Sequence, residues 1–195
     1  MDMAFQYDQY LLKKQVFALT GILRIYNPQD QLVLYCQQKF LKLKEDVRIY
    51  SDETKSRELL NIQARQIIDF SAYYDVFDSQ FTTKVGGLRR KGFRSMLQDE
   101  WEVFDAQDYM IGVLKEDTLQ QALLRRFLLG KLLPQNYDLV VGTERLADLK
   151  QRFHLFRYEL EIDFQMDTGK KLDHRLGLAA AILLAIIEGR QHSQS

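Results

Sequence analysis

The stretch Leu176–Ile187 reads LGLAAAILLAII and carries no polar side chain on any face. Its leucine and alanine content favours an α-helix, and Gly189 stands where a helix commonly ends. A helix that is apolar on every face must be surrounded by protein or by lipid. This stretch therefore predicts either a helix buried in a protein core or a membrane anchor.

The length of the run separates these two interpretations. An uninterrupted run of about twelve residues is shorter than the ~20 residues that span a membrane, and runs of ~10–14 are typical of buried core helices. At ~1.5 Å per residue the run covers ~18 Å, which matches the height of a small barrel. We therefore expect a core helix and no transmembrane span, with a tail anchor as the alternative.

The chain before this helix repeats one pattern, in which a strand-like run ends in an aromatic, a short polar turn follows, and a second apolar run comes after it. The aromatics are Tyr26, Tyr50, Phe77 and Phe104, spaced 24, 27 and 27 residues apart by subtraction. Each unit is long enough for two strands and their turns. Further runs at 137–149 and 153–164 bring the prediction to about six hairpins.

These elements predict a mainly β (α+β) fold, a closed antiparallel barrel of about twelve strands in hairpins around the central hydrophobic C-terminal helix. Closing the sheet removes its edges and creates an interior that the helix can fill. One extra amphipathic helix is expected near 118–133, because apolar residues recur there at helical spacing and Pro134 follows. We expect a single domain over 1–195 with its core at about 16–188.

Charge and cysteine content narrow the classes of function. Lysine plus arginine and aspartate plus glutamate number 27 each, so the net charge is +0, which argues against bulk capture of nucleic acid. Cys36 is the single cysteine, so no intramolecular disulfide can form and a reducing cytoplasm is the simpler location. The expected location is cytoplasmic, with a peripheral position at the membrane as an option, and the oligomeric state stays open.

A resemblance to a known group rests on recurring short motifs. They are Ile25-Tyr26-Asn27, Ile49-Tyr50-Ser51, Val76-Phe77-Asp78, Val103-Phe104-Asp105 and the terminal stretch 173–181, which reads DHRLGLAAA. With them the chain resembles the tubby C-terminal-like superfamily, which includes the LURP-one-related proteins and the phospholipid scramblases. The resemblance implies a twelve-stranded barrel around a central helix, and phosphoinositide binding or calcium-dependent lipid scrambling as activities.

Two departures weaken the scramblase branch of that resemblance. Scramblases carry a cysteine-rich acylation segment, whereas this chain has one cysteine. Their acidic calcium segment precedes the terminal helix, and here that region offers only Glu161, Asp163 and Asp167 without the regular oxygen spacing of a calcium loop. We expect no metal and no cofactor.

The densest cationic segment supplies the candidate binding site. Arg89, Arg90, Lys91 and Arg94 follow the flexible pair Gly86-Gly87, and arginine forks with a lysine point charge suit a phosphate head group. The alternative is a solvated connector whose charges protect a strand edge from aggregation.

Motifs for catalysis are missing from the sequence: it has neither a nucleophile elbow nor a dinucleotide fingerprint. The expected function is a binding module that recognises an anionic phospholipid, and the protein is not expected to be an enzyme. The alternative is a protein-interaction or structural domain that binds a protein partner and no small ligand. A third option is an enzyme whose site assembles only in three dimensions.

Overall fold

The computed structural model describes residues 1–15, 21–38, 46–68, 71–91, 100–116, 135–152, 154 and 157–188. Within them a short 3-10 turn at Met3–Phe5 comes first, twelve strands follow, and the helix α1 (His174–Glu188) comes last. The strands are β1 (Gln9–Gln15), β2 (Gly21–Tyr26), β3 (Leu32–Gln38), β4 (Asp46–Tyr50), β5 (Glu58–Ile68), β6 (Ser71–Asp78), β7 (Thr83–Arg90), β8 (Glu100–Phe104), β9 (Met110–Glu116), β10 (Asn136–Val141), β11 (Glu144–Arg152) and β12 (Arg157–Asp163). The extra amphipathic helix expected near 118–133 lies outside the described residues.

The strands form a closed barrel in which each is antiparallel to its neighbours. Chain order is kept around the whole ring, and β1 pairs with β12 to close it. The predicted twelve-stranded antiparallel barrel around a C-terminal helix is confirmed. Closure leaves the sheet without edge strands, so its backbone groups are paired all round.

The prediction from the sequence placed one of the twelve strands at the wrong position in the chain. Two runs were expected between residues 153 and 164, but the described part of that stretch holds only β12. The twelfth strand is instead β1, which begins at Gln9, ahead of the core boundary expected at residue 16. Tyr10 and Leu12 of β1 are buried, yet the neighbouring lysines Lys13 and Lys14 interrupt the alternation by which a strand is recognised.

The helix α1 occupies the barrel interior, as its apolar faces require. Leu176 and every residue from Leu178 to Ile186 are at most 3% exposed, and Gly177 is buried as well. Asp173 precedes the helix and its carboxylate accepts a hydrogen bond from the Arg175 amide at 3.0 Å, which is an N-cap contact. Near the other terminus the Lys14 ammonium donates to the Ala185 carbonyl at 2.8 Å. Among the described residues no helix is long and apolar enough to cross a membrane.

One end of the barrel is defined here as the turn end. It comprises residues 1–8, 27–31, 51–57, 79–82, 105–109, 142–143 and 164–173, which are the N-terminal segment, five hairpin turns and the loop that leads into α1. The five hairpin turns join β2 to β3, β4 to β5, β6 to β7, β8 to β9 and β10 to β11. The helix enters the barrel at this end and runs toward the opposite end.

An ion pair fixes the helix where it enters. Arg175 donates to Asp78 at the end of β6 at 2.6 Å and also contacts Asp173 at 2.5 Å. The side chains of Arg175 and Asp78 are only 17% and 3% exposed. Hydrogen bonding to Asp173, and less strongly to Asp78, raises the pKa of Arg175. The contact joins residues 97 positions apart and so ties the helix to the wall.

The helix also packs unusually close to the loop before it. A Cβ atom on Gly177 would lie 2.5 Å from the ring of Phe164, and that ring stacks on His174 with centroids 4.1 Å apart. Real side chains do not approach so closely, so glycine is needed here for space and not for backbone freedom.

Candidate functional site

The sequence-predicted site, called the basic strip, consists of Arg89, Arg90, Lys91 and Arg94. The first three lie at the end of β7 that is far from the turn end, and Arg94 lies outside the described residues. Strand alternation puts Arg89 on the outer face with Glu102 directly opposite on β8. Arg90 shares the face of Leu88, which is completely buried. The structure therefore separates the consecutive arginines onto two faces.

Arg89 is held on the outer wall by two contacts. Its guanidinium donates to the Glu102 carboxylate at 2.5 Å and lies over the Phe104 ring at 5.1 Å. Its side chain is 46% exposed, whereas that of Glu102 is 11% exposed. The cation thus keeps an accessible side while its carboxylate partner is largely covered.

Lys91 continues the same face one residue beyond β7. Its amide donates to the Glu100 carbonyl at 3.0 Å, which extends the ladder, and its ammonium donates to the Glu100 carboxylate at 2.5 Å. The Glu102 carboxylate lies 3.8 Å away. The hydrogen bond to Glu100 raises the pKa of Lys91, so the side chain stays charged at neutral pH.

The strip therefore combines cations with their own carboxylates. Arg89 and Lys91 contact two acids, Glu100 and Glu102, whereas Arg90 lies on the other face and is half-buried with an interaction partner of its own. An arriving phosphate could take bidentate hydrogen bonds from Arg89 and a charge contact from Lys91. It would have to share both cations with the carboxylates already present.

A second charged cluster, which the sequence did not reveal, lies across β5, β6 and β7. Arg65 and Lys84 both contact Asp108 in the β8–β9 turn, at 3.0 and 2.5 Å, and the Tyr73 hydroxyl donates to the same carboxylate at 2.7 Å. These donors, with Lys84 the strongest, hold the pKa of Asp108 well below its usual range. Its members come from four elements, so no local spacing could have indicated it.

A shallow groove of about 300 Å³ runs along the outer wall between the β2–β3 turn and strands β1, β11 and β12. Its cations are Lys150, paired with Asp148 at 2.6 Å, and Arg152, paired with Glu161. Opposite charges therefore alternate along its lining. Such a lining favours no single sign of ligand charge.

The three acids that precede the helix do not gather into one site. Glu161 binds Arg152, and Asp163 accepts from Gln9 at 2.9 Å. The buried Asp167 accepts from the amides of Lys171 and Leu172 at 2.9 and 2.8 Å. In the described ranges no group of three or more potential ligands is placed to hold a metal ion. Asp167 instead closes the loop that leads into α1.

The chain matches a family model described as LURP-one-related over residues 32–185. The chain belongs to the LURP-one-related family. That family is part of the tubby-like superfamily, so the resemblance seen in the sequence is confirmed. No significant match was found among curated proteins or among solved structures. The match to the LURP-one-related model covers the strands from β3 to β12 and most of α1.

Proposed function

We propose that this LURP-one-related barrel is a binding module, not an enzyme, and that it acts through its outer wall. The proposal is supported by the position of α1, whose side chains from Leu176 to Ile186 fill the interior. Ligand pockets need concave, accessible space. Because the helix fills the interior of the barrel, a ligand would bind on the outer surface. We propose a cytoplasmic protein that is peripheral at the membrane, in keeping with its reduced and buried Cys36.

The proposed ligand is an anionic lipid head group of the phosphoinositide kind, bound at the basic strip. The observation that carries this proposal is the exposure of Arg89 and Lys91, 46% and 43%, on one outer face. Glu102 touches both cations and holds them in a fixed arrangement. A phosphate that displaced part of this contact would gain charge-assisted hydrogen bonds from donors that are already positioned.

Vesicle sedimentation tests this proposal. Phosphatidylcholine vesicles with and without a phosphoinositide are mixed with the protein over a salt series, and the bound fraction is measured. We expect binding that needs the phosphoinositide, weakens with salt, and falls roughly tenfold in Arg89→Ala, because one charge-assisted hydrogen-bond pair is lost. Arg94→Ala is expected to lower it as well.

A variant without the competing carboxylate gives the more specific test in the vesicle experiment. Glu102→Gln frees Arg89 and Lys91 from a negative charge, so phosphoinositide binding should become stronger. Arg48→Ala is the matched control, because Arg48 is a paired outer-wall arginine of similar exposure, 50%. If Glu102→Gln and Arg89→Ala both leave vesicle binding unchanged, the basic strip is not the head-group site.

A second candidate function is a protein-interaction domain with no small ligand. It is favoured by the large apolar side chains that are exposed at the turn end, among them Phe81 and Tyr109. A complete lack of vesicle binding across head groups would favour this candidate over the first.

A further inference from the structure

Three hydrogen-bond donors from three different strands converge on one carboxylate oxygen of the second charged cluster. The Oδ1 atom of Asp108 lies 3.0 Å from the Arg65 guanidinium, 2.7 Å from the Tyr73 hydroxyl and 2.5 Å from the Lys84 ammonium. These three donors, on β5, β6 and β7, are defined here as the cradle. Guanidinium, ammonium and hydroxyl groups gathered around one point form the kind of donor set with which proteins bind oxyanions.

Contacts that do not involve Asp108 hold the cradle in place. The Arg65 guanidinium donates two hydrogen bonds to the Asp75 carboxylate at 2.7 and 2.5 Å and lies over the Tyr73 ring at 4.3 Å. Lys84 also lies 2.9 Å from Asp75, whose side chain is only 12% exposed. The cradle is therefore preorganised, and a ligand that enters it does not have to order the donors first.

A glycine on β7 gives the Tyr73 ring its place. A Cβ atom on Gly87 would lie 2.5 Å from the Tyr73 hydroxyl oxygen, which is closer than real side chains approach. The orientation that aims the hydroxyl at Asp108 therefore depends on the absence of a side chain at position 87. Burial, and less strongly the hydrogen bond to Asp108, raises the pKa of Tyr73, so the hydroxyl keeps its proton and acts as a donor.

The turn that carries Asp108 does not need its carboxylate. In the β8–β9 turn the Asp105 carboxylate accepts from the amides of Gln107 and Tyr109, both at 2.9 Å, and the Asp105 amide donates to the Tyr109 carbonyl at 2.9 Å. Asp108 has a φ of 66°, in the left-handed region that aspartate and asparagine tolerate best after glycine. Its side chain is 44% exposed. The carboxylate is thus an occupant of the cradle that solvent can reach, and not a support of the turn.

The charge balance of the cluster indicates which ligand could replace Asp108. With Asp108 in the cradle two cations face two carboxylates, and without it Arg65 and Lys84 face Asp75 alone. A carboxylate ligand would gain little, because Asp108 belongs to the same chain and competes at an effective concentration on the order of mM. A phosphate monoester carries about −1.5 to −2 charge at pH 7 and has three acceptor oxygens. It can therefore give each of the three donors an oxygen of its own, which the single Oδ1 atom cannot.

We propose that the cradle is an anion-binding site that takes the phosphate group of a small phosphorylated ligand, and that Asp108 occupies it while this ligand is absent. Asp108 then acts as an internal competitor, which excludes weakly charged anions. The site is separate from the basic strip, because Lys84 lies at the beginning of β7 and Arg89 near its end. It requires no membrane, whereas the head-group proposal does.

Isothermal titration calorimetry with inorganic phosphate and with O-phosphoserine tests the proposal, at an ionic strength kept constant with sodium chloride. The variant Asp108→Asn removes the competing charge and keeps the size of the side chain. We expect it to bind both probes roughly tenfold more tightly than the unmodified protein, because one charge-assisted contact no longer has to be displaced. Asp46→Asn is the matched control, because Asp46 is an outer-wall carboxylate that binds Arg48 at 2.9 Å and is 41% exposed. It should leave the affinity for phosphate unchanged.

Further substitutions in the Asp108→Asn background locate the bound phosphate. Lys84→Gln and Arg65→Ala should each reverse the gain in affinity, because each removes a charged donor. Tyr73→Phe should weaken binding by a smaller factor, because it removes one neutral donor. Arg89→Ala should leave phosphate binding unchanged, which separates the cradle from the basic strip. Thermal unfolding checks that each variant is folded.

Three results would overturn the proposal. One is equal affinity of Asp108→Asn and the unmodified protein for both soluble probes, and another is a gain in Asp108→Asn that persists when Lys84→Gln is added. The third is a gain that appears only with phosphoinositide vesicles, because the phosphate would then come from a lipid head group. None of these results changes what Arg89→Ala and Glu102→Gln show in the vesicle experiment, so the two proposals can fail separately.

Discussion

Inside the barrel, α1 and the inward side chains of the strands form one apolar cluster with fractional exposures near zero. On the outer wall, pairs such as Arg24 with Glu53 at 2.7 Å and Arg48 with Asp46 at 2.9 Å alternate in sign and remain partly exposed. Apolar burial contributes about 25 cal/mol per Å², whereas an exposed ion pair contributes roughly 0–1 kcal/mol. Apolar burial in the interior therefore supplies most of the free energy of folding. The ion pairs of the outer wall can rearrange when a ligand binds, at little cost in stability.

The largest expected effect comes from a charge placed inside. Ile182 is completely buried in α1, so Ile182→Asp introduces a carboxylate with no partner. That costs several kcal/mol, comparable with the whole stability of a small domain at about 5–15 kcal/mol. We expect circular dichroism to show an unfolded or insoluble chain. Ile182→Val keeps an apolar, β-branched side chain. It should lower the free energy of unfolding, measured with urea, by only about 1 kcal/mol.

The next effect tests the place where the wall meets the interior. Arg175→Met leaves Asp78 without its cation in a site where the carboxylate is 3% exposed. Breaking a buried pair on one side costs about 3 kcal/mol, which urea unfolding would detect. Arg48→Met is the control on the outer wall and should change the free energy of unfolding by less than about 1 kcal/mol. Equal losses in the two variants would contradict the contrast between interior and wall.

A smaller effect is expected from one methyl group in the interior. Gly177→Ala forces the Phe164 ring to move, and overpacking of this kind costs about 1–3 kcal/mol. The loss should appear although alanine is the better helix former by about 1 kcal/mol. Phe164→Leu makes room, so it should cost less in the Gly177→Ala background than alone. Additive losses in this double-mutant cycle would show that the two residues do not contact as described.

The smallest effect concerns pH. Burial raises the pKa of the Cys36 thiol from its ordinary value of 9.0 to about 12, with Lys55 and Lys14 opposing the rise. The folded state thus favours the neutral thiol. The contribution of this thiol to the free energy of unfolding is complete below pH 9 and is lost as the pH rises toward 12. By pH 10 the loss should reach about 1.4 kcal/mol.

The matched variant isolates this pH effect. Cys36→Ala removes the thiol, so the difference in the free energy of unfolding between the two proteins should change between pH 8 and pH 10. A difference that stays constant over this range would show that the thiol is accessible to water in the folded state.

Much of the fold could be predicted because its signals are local. The aromatic-ended runs around Tyr26, Tyr50, Phe77 and Phe104 became the first four hairpins at nearly the expected positions. The strand β1 was missed because Lys13 and Lys14 conceal it. Lys14 reaches the Ala185 carbonyl of the helix, a partner 171 positions away that no local pattern could indicate.

The candidate site was less predictable for the same reason. Four cations within six residues indicate a basic segment, but strand alternation divides Arg89 from Arg90. The pairing of Arg89 with Glu102 depends on the register between β7 and β8. The carboxylates that now define the proposed head-group test could be assigned only after that register was known.

The sequence by itself determined that Leu176–Ile187 needs apolar surroundings and indicated that hairpins supply them, because apolar periodicity and run length are properties of the chain. The tertiary structure alone decided that β1 closes the ring against β12, that Asp78 meets Arg175, and that Phe81, Tyr109 and Met3 share one end. These are contacts between residues far apart in sequence. They depend on strand register and closure, which no single segment encodes.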